Sequence, residues 1–169
     1  MIRSLLFLFA LVFALPAQAE VSVSFYSRDF GEVFPHAYFA IEGELSDGGA
    51  APRTNYGFTA KSVTPAILWG SVAGEIVTMN PTYMRKSDKH FTIEVSDDQY
   101  RRLMAVVADW RGRPGASYNL NRANCVTFVA DAARALGLAV NPKSSFRKKP
   151  KSFLDEVMRL NPQLHAAGG

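Results

Sequence analysis

Tyr118-Asn119-Leu120-Asn121-Arg122-Ala123-Asn124-Cys125-Val126-Thr127-Phe128-Val129 is the segment on which the reading of this 169-residue chain turns. A polar half rich in asparagine leads into an apolar half, where Phe128, Val129, Ala132 and Leu136 recur at helical spacing. The spacing predicts a helix with Cys125 in its first turn, Asn124 or a neighbour as its cap and Gly137 near its stop. Cys125 is the only cysteine, so it cannot staple the fold. Unpaired N–H groups and the dipole at a helix start favour a thiolate, which is the setting of a nucleophilic cysteine. A small buried apolar residue fits the same position, and position alone leaves both readings open.

The other end of the chain raises the stakes of that thiol. Met1-Ile2-Arg3 forms a short basic start, Leu5 to Leu15 is an almost unbroken apolar run, and Ala17-Gln18-Ala19 has the small-x-small form of a cleavage site. Residues 1–19 therefore read as a signal peptide, with a mature chain from Glu20 that is periplasmic or secreted. No cysteine follows the cleavage site, so a lipoprotein anchor is not expected. No later run is long enough to span a bilayer, so no stable membrane insertion is expected either. Exported chains use cysteine in pairs, and a lone one calls for a chemical reason. The net charge of +4 falls to +3 without Arg3, a mild basicity that suits anionic cell-wall or membrane material.

Residues 20–169 make a single domain of about 150 residues. Val21, Val23 and Phe25 alternate with polar neighbours as a half-buried strand. His36 to Leu45 and Thr54 to Lys61 read as a hairpin around Ser46-Asp47-Gly48-Gly49. Residues 62–74 are irregular or briefly helical, and Glu75 to Met79 and Phe91 to Val95 are further strands. Ser96-Asp97-Asp98-Gln99 caps a helix with Tyr100, Leu103, Met104, Val107 and Trp110 on its inner face. The core spans roughly 21–140. A basic loop with Lys143, Arg147, Lys148, Lys149 and Lys151, read as solvated, leads into a last helix, together 141–162, followed by a flexible tail, 163–169. Strands followed by helices is an α+β order.

A cysteine nucleophile needs a base and a group to orient it. His165 lies in the tail, and His90 follows the charged turn Arg85-Lys86-Ser87-Asp88-Lys89 and is expected to face solvent. His36 opens a strand after Pro35, where an imidazole can face a helix that packs on the sheet.

The Asn124-Cys125-Val126-Thr127-Phe128-Val129 helix start and the His36 strand together resemble papain-like amidases of the NlpC type, but in reversed order. His36 precedes Cys125, as in the circularly permuted branch that includes the lecithin:retinol acyltransferase-like proteins. The segment from Tyr118 to Val129 is similar to that family's Tyr-x-Leu-x-x-x-Asn-Cys-Glu-His-Phe-Val, and the resemblance covers roughly residues 34 to 137. It departs where Val126 and Thr127 replace Glu-His, and in lacking the membrane-anchoring helix. The resemblance implies a permuted papain-like fold, a small antiparallel sheet packed against the cysteine helix with two further helices. It implies Cys125 as nucleophile and His36 as base, and it places Thr59 at the orienting position. The hairpin register agrees with Thr59, with Asn55 as the alternative toward the other end of the strand. The Cys125 N–H would receive the oxyanion, with Tyr118 or Asn124 as further donors.

These parts lead to an exported cysteine amidase or peptidase acting through an acyl-enzyme, with a peptidoglycan stem peptide or other envelope amide as substrate. Two other classes stay open. A lipid-directed acyltransferase or thioesterase would need an apolar groove near Cys125, for which Ile67, Leu68 and Trp69 are available unless they enter the core. A non-catalytic envelope-binding domain would use Cys125 and His36 only for packing. No cofactor and no metal are expected, since the histidines are scattered and the cysteine is alone. Nucleic acid is not an expected partner, because the basic run lacks interleaved aromatics.

Overall fold

Val21, Val23, Phe25 and Ser27 are fully buried while the residues between them are half-exposed, the two-residue period of a strand with one wet face. The computed structural model describes residues 21–29 and 34–166. It is α+β: strands β1 (Val21–Arg28), β2 (His36–Glu44), β3 (Ala50–Ala60), β4 (Gly74–Val77) and β5 (Asp88–Val95) form one antiparallel sheet in the order β4-β3-β2-β1-β5. The expected signal segment 1–19 lies outside the described residues.

The hairpin turns where the sequence places it, with Gly48 at a φ of +80° and the Asp47 carboxylate accepting the Gly49 N–H at 2.8 Å. β3 starts four residues earlier than expected and takes in Pro52. Only Gly57 to Ala60 of β3 pair with β4, so Pro52 lies where β3 has no neighbour on that side.

Helix α3 (Asp97–Gly112) begins with a full capping box, in which Ser96 accepts the Gln99 N–H and Gln99 accepts the Ser96 N–H. Leu103, Val107 and Trp110 are its buried residues, spaced as one helical face. Helix α4 (Cys125–Ala135) is capped by Asn124 and ends at Gly137, whose φ of +86° lets the Leu138 N–H reach back to the Ala133 carbonyl at 3.0 Å. It packs on β2 and β3, and Phe128 is the centre of that contact. Its ring stands 5.5 Å from Phe39, 5.5 Å from Trp110 and 6.5 Å from Phe58. Rings from two strands and two helices thus meet at one residue.

Helix α5 (Pro150–Leu160) covers β1 and β5, and here the reading of His90 is corrected. Phe25 pairs with Phe91 but Tyr26 pairs with Lys89, so His90 is the extra residue of a β-bulge. The bulge turns its side chain inward to 3 % exposure, where Nδ1 donates to Asp155 at 3.0 Å and Nε2 accepts from Ser27 at 2.8 Å. This is the order of a serine–histidine–aspartate array, but Ser27 is completely buried, which denies any substrate its hydroxyl. The array fastens α5 to the sheet.

Three short helices complete the chain: α1 (Ala66–Trp69), expected as a brief helix, and α2 (Pro81–Arg85) and α6 (Gln163–Ala166), which were not. Asn80 caps α2 by accepting the Tyr83 N–H with Pro81 at its first position, a start signal hidden in a five-residue element. α6 corrects the flexible tail over its first four residues, because Leu164 is buried against the sheet side.

The packing predicts that Phe128→Ala, which empties the point where four elements meet, lowers stability by about 3–5 kcal/mol. The measurement is the urea midpoint, with the far-UV spectrum unchanged below the transition.

Candidate active site

Cys125 has to be placed by the turn before it, because a helix start has no packing partner of its own on its open side. Asn124 does this with all its side-chain hydrogen-bonding capacity. Its Oδ1 accepts the Val126 N–H at 2.8 Å and the Thr127 N–H at 3.1 Å, and its Nδ2 donates to the carbonyls of Leu120 at 2.8 Å and Arg147 at 2.9 Å. The Thr127 hydroxyl closes the box by accepting the Asn124 N–H at 2.8 Å. Asn124 therefore has no hydrogen left for an oxyanion, which corrects that expectation and makes it the positioning residue of α4.

The thiol itself comes to the end of the sheet. It lies 4.0 Å from the Pro35 carbonyl, and the Ala37 N–H points at it from the other side of His36. Its own backbone N–H and that of Val126 also face it, but the Val126 N–H is already given to Asn124. The donors left beside the sulfur are the N–H groups of Cys125 and Ala37.

His36 shares a cavity of about 250 Å³ with Cys125, Thr59 and Tyr118, walled by the apolar side chains of Val63, Ile67, Val77 and Met79. The thiol touches the backbone on either side of His36 rather than its ring. The imidazole goes to the face that carries Tyr38, 6.4 Å away and nearly parallel, and Nε2 is buried over Gly57 without a hydrogen-bond partner. A Cβ at Gly57 would collide with that nitrogen, so a glycine is required beneath the ring. No bond joins Cys125 to His36 among the described residues.

The register settles where the two orienter candidates stand. Tyr38 pairs with Gly57, which carries Thr59 to a place opposite His36, and Thr59 lines the cavity with it. Asn55 pairs with Ala40 instead and is spent elsewhere, accepting the Met79 N–H at 2.5 Å and donating to the Met79 carbonyl at 3.0 Å. Asn55 fixes the end of β4 and does not reach His36. Tyr118 is almost fully buried beside the thiol, and its hydroxyl has no partner among the described residues.

Burial decides the protonation states. It pushes the Cys125 thiol up to about 11, against the smaller opposing pull of the N–H groups of Ala37, Val126 and Cys125. Burial also drops His36 to about 4, and it raises Tyr118 to about 12 with help from the negative potential of Cys125. The resting pair is a neutral thiol and a neutral imidazole. The helix start alone predicts a thiolate, and desolvation outweighs it.

What the sequence reading missed is the wall of the cavity and Gly57. Ile67 was visible as a groove candidate, and it is buried in the cavity wall. Leu68 and Trp69 do not enter the core: they are 65 % and 85 % exposed on the adjoining turn of α1.

Comparison with protein-family models, with curated proteins and with solved structures finds no match. The functional reading rests on the residues and their geometry.

Two outcomes follow from the buried groups. Alkylation of folded Cys125 by iodoacetamide is expected to be slow at pH 7 and to rise only as pH climbs from about 8.5 toward 11, whereas the unfolded chain reacts with a midpoint near about 8.5. Labelling rates against pH in buffer and in denaturant check this. For stability, the folded pKa values of His36 and His90 lie below the unfolded value, so the unfolded chain binds protons first as pH falls. Stability is expected to be level between about pH 6.5 and 8 and to decline between about pH 6.5 and 4, by up to about 3 kcal/mol from His36, while the raised Cys125 thiol makes it fall again above about pH 8.5. Melting temperatures at pH 7.5, 6 and 5 measure it.

Proposed function

We propose that this chain is an exported thiol hydrolase on a permuted papain-like fold, which cleaves an amide bond through an acyl-enzyme on Cys125. The observation that carries the reading is one cavity holding Cys125 at a capped helix start, His36 at the adjoining strand start, and Thr59 and Tyr118 on its walls. With a neutral resting pair, the proton leaves sulfur as the carbonyl arrives. The His36 ring turns off Gly57 toward the thiol and takes the sulfur proton while the sulfur bonds to the carbonyl carbon. The oxygen, now negative, is met by the N–H groups of Cys125 and Ala37, with the Tyr118 hydroxyl as a further donor. Collapse of the adduct breaks the carbon–nitrogen bond, and the imidazolium gives its proton to the departing amine. Water then attacks the thioester, passing a proton through His36 back to the sulfur and releasing the acid. Thr59, opposite His36, is the group placed to accept the ring N–H once the ring has turned. The expected export and mild basicity favour a peptidoglycan stem peptide as substrate.

A second reading has its own observation. Phe34, Val63, Leu68 and Trp69 are exposed large apolar side chains; Phe34 and Val63 line the cavity, and Leu68 and Trp69 follow Ile67 in α1. An apolar rim around an apolar-walled thiol cavity suits an acyl chain and a lipid surface. The chemistry is the same, with an ester or thioester in place of the amide.

The two are separated by incubating the chain from Glu20 onward with muropeptides and, separately, with phospholipid and acyl-thioester substrates. The expected result is stem-peptide cleavage that Cys125→Ala abolishes and His36→Ala reduces by about 10²-fold or more. Fatty acyl release that depends on Cys125 would move the assignment to the second reading. Cys125-independent binding to cell-wall material without turnover would make this an envelope-binding domain.

A further inference from the structure

Four arginines line a second cavity, of about 320 Å³, which also takes in Val126, Thr127, Ala130 and Asp131 of α4. They come from four separate places: Arg113 at the end of α3, Arg122 in the loop before α4, Arg134 on α4 and Arg147 in the loop before α5. Two are held by carboxylates. Arg113 stacks on the Trp110 ring at 3.5 Å and donates to Asp109 at 2.8 Å, and Arg134 donates to Asp131 at 2.8 Å. Arg122 and Arg147 have no acidic partner among the described residues, Arg147 giving one Nη2 hydrogen to the Pro142 carbonyl at 2.5 Å and keeping its other donors, and Asp131 is the only acidic side chain among the residues that line the cavity.

The loop sorts its cations by type. Lys143, Lys148 and Lys149 stay exposed outside the cavity, as a solvated run should, whereas Arg147 lines it. Like charges brought together by distant parts of the chain repel, and an anion between them relieves that repulsion. Guanidinium forks match the oxygens of a phosphate two at a time, which an ammonium does not. The cavity volume falls at the lower end of small-molecule sites, about 300–1,000 Å³, so there is room for more than the bare ion.

The geometry points to a binding site for a phosphate-class oxyanion, held between Arg122 and Arg147 and framed by Arg113 and Arg134. The site is separate from the thiol cavity but mechanically joined to it. The backbone that presents the Arg147 side chain also gives its carbonyl to Asn124 Nδ2 at 2.9 Å, and Asn124 caps the helix that carries Cys125. An anion that orders this loop therefore braces the first turn of α4.

The oxyanion can be free or carried on a lipid headgroup, and the test has an arm for each. Trp69→Phe leaves Trp110, in the cavity wall, as the only tryptophan reporter. Its fluorescence is followed during titration with inorganic phosphate, with sodium chloride at matched ionic strength as control. In parallel, sedimentation with phosphatidylglycerol vesicles is compared with phosphatidylcholine vesicles. The expected result is a saturable response in at least one arm that Arg122→Ala/Arg147→Ala weakens about tenfold or more. Both residues are exposed, so this double variant is expected to stay folded in phosphate-free buffer, with a far-UV spectrum like the parent's. A response to free phosphate assigns a soluble ligand, and a phosphatidylglycerol response alone assigns a headgroup. The proposal is overturned if chloride reproduces the phosphate response and phosphatidylglycerol gains nothing over phosphatidylcholine, or if the double variant binds like the parent. The assay reads binding rather than turnover, so it stands or falls apart from the chemistry at Cys125.

Discussion

Asn124 is the constraint on which the rest of the arrangement depends. One carboxamide caps α4 with its oxygen and ties down two loops with its nitrogen, reaching Leu120 on one side and Arg147 on the other. A buried amide that satisfies every donor and acceptor it owns is rigid, because any rotation strands at least one group away from water. That rigidity fixes the Cys125 sulfur against the backbone of β2, and it fixes the loop that brings Arg147 to the second cavity.

Position and protonation pull in opposite directions at the thiol. The helix start and three nearby N–H groups favour a thiolate, while the apolar walls remove the water that would stabilise one, and burial wins. The aromatic cluster around Phe128 is the cause, since it draws α4 down onto β2 and β3 until the first turn is buried with the rest. An exposed helix start would be more reactive and less well positioned. A buried neutral thiol is protected from oxidation, which suits a cysteine with no disulfide partner.

His36 and His90 show how much depends on a single residue of register. His36 takes the face of Tyr38, where only a glycine at 57 leaves room for its ring. His90 would be solvent-facing in a regular strand, and one bulge opposite Phe25 and Tyr26 turns it into the contact that holds α5. Neither placement costs an extra charge, since burial keeps His36 neutral and favours the neutral form of His90.

The sequence by itself determined the larger elements, though not the short helices α2 and α6 or the early start of β3. The apolar spacing after Cys125, the Ser96 capping box, the alternation from Val21 and the Asp47-Gly48-Gly49 turn are all local, and local physics suffices for them. It also carried the nearness of Thr59 to His36 and the separation of Asn55 from it to within one residue, since the hairpin turn fixes the pairing beside it and a register shift between Ile41 and Gly43 sets the final match. Only the tertiary structure decided which side of the sheet the His36 ring takes, that Asn124 is spent on capping, that Leu68 and Trp69 stay outside while Ile67 goes in, and that arginines from four places share a cavity. Each of these is set by groups far apart in the chain, through desolvation, steric room and mutual repulsion, and none of those quantities has a value until the chain has folded.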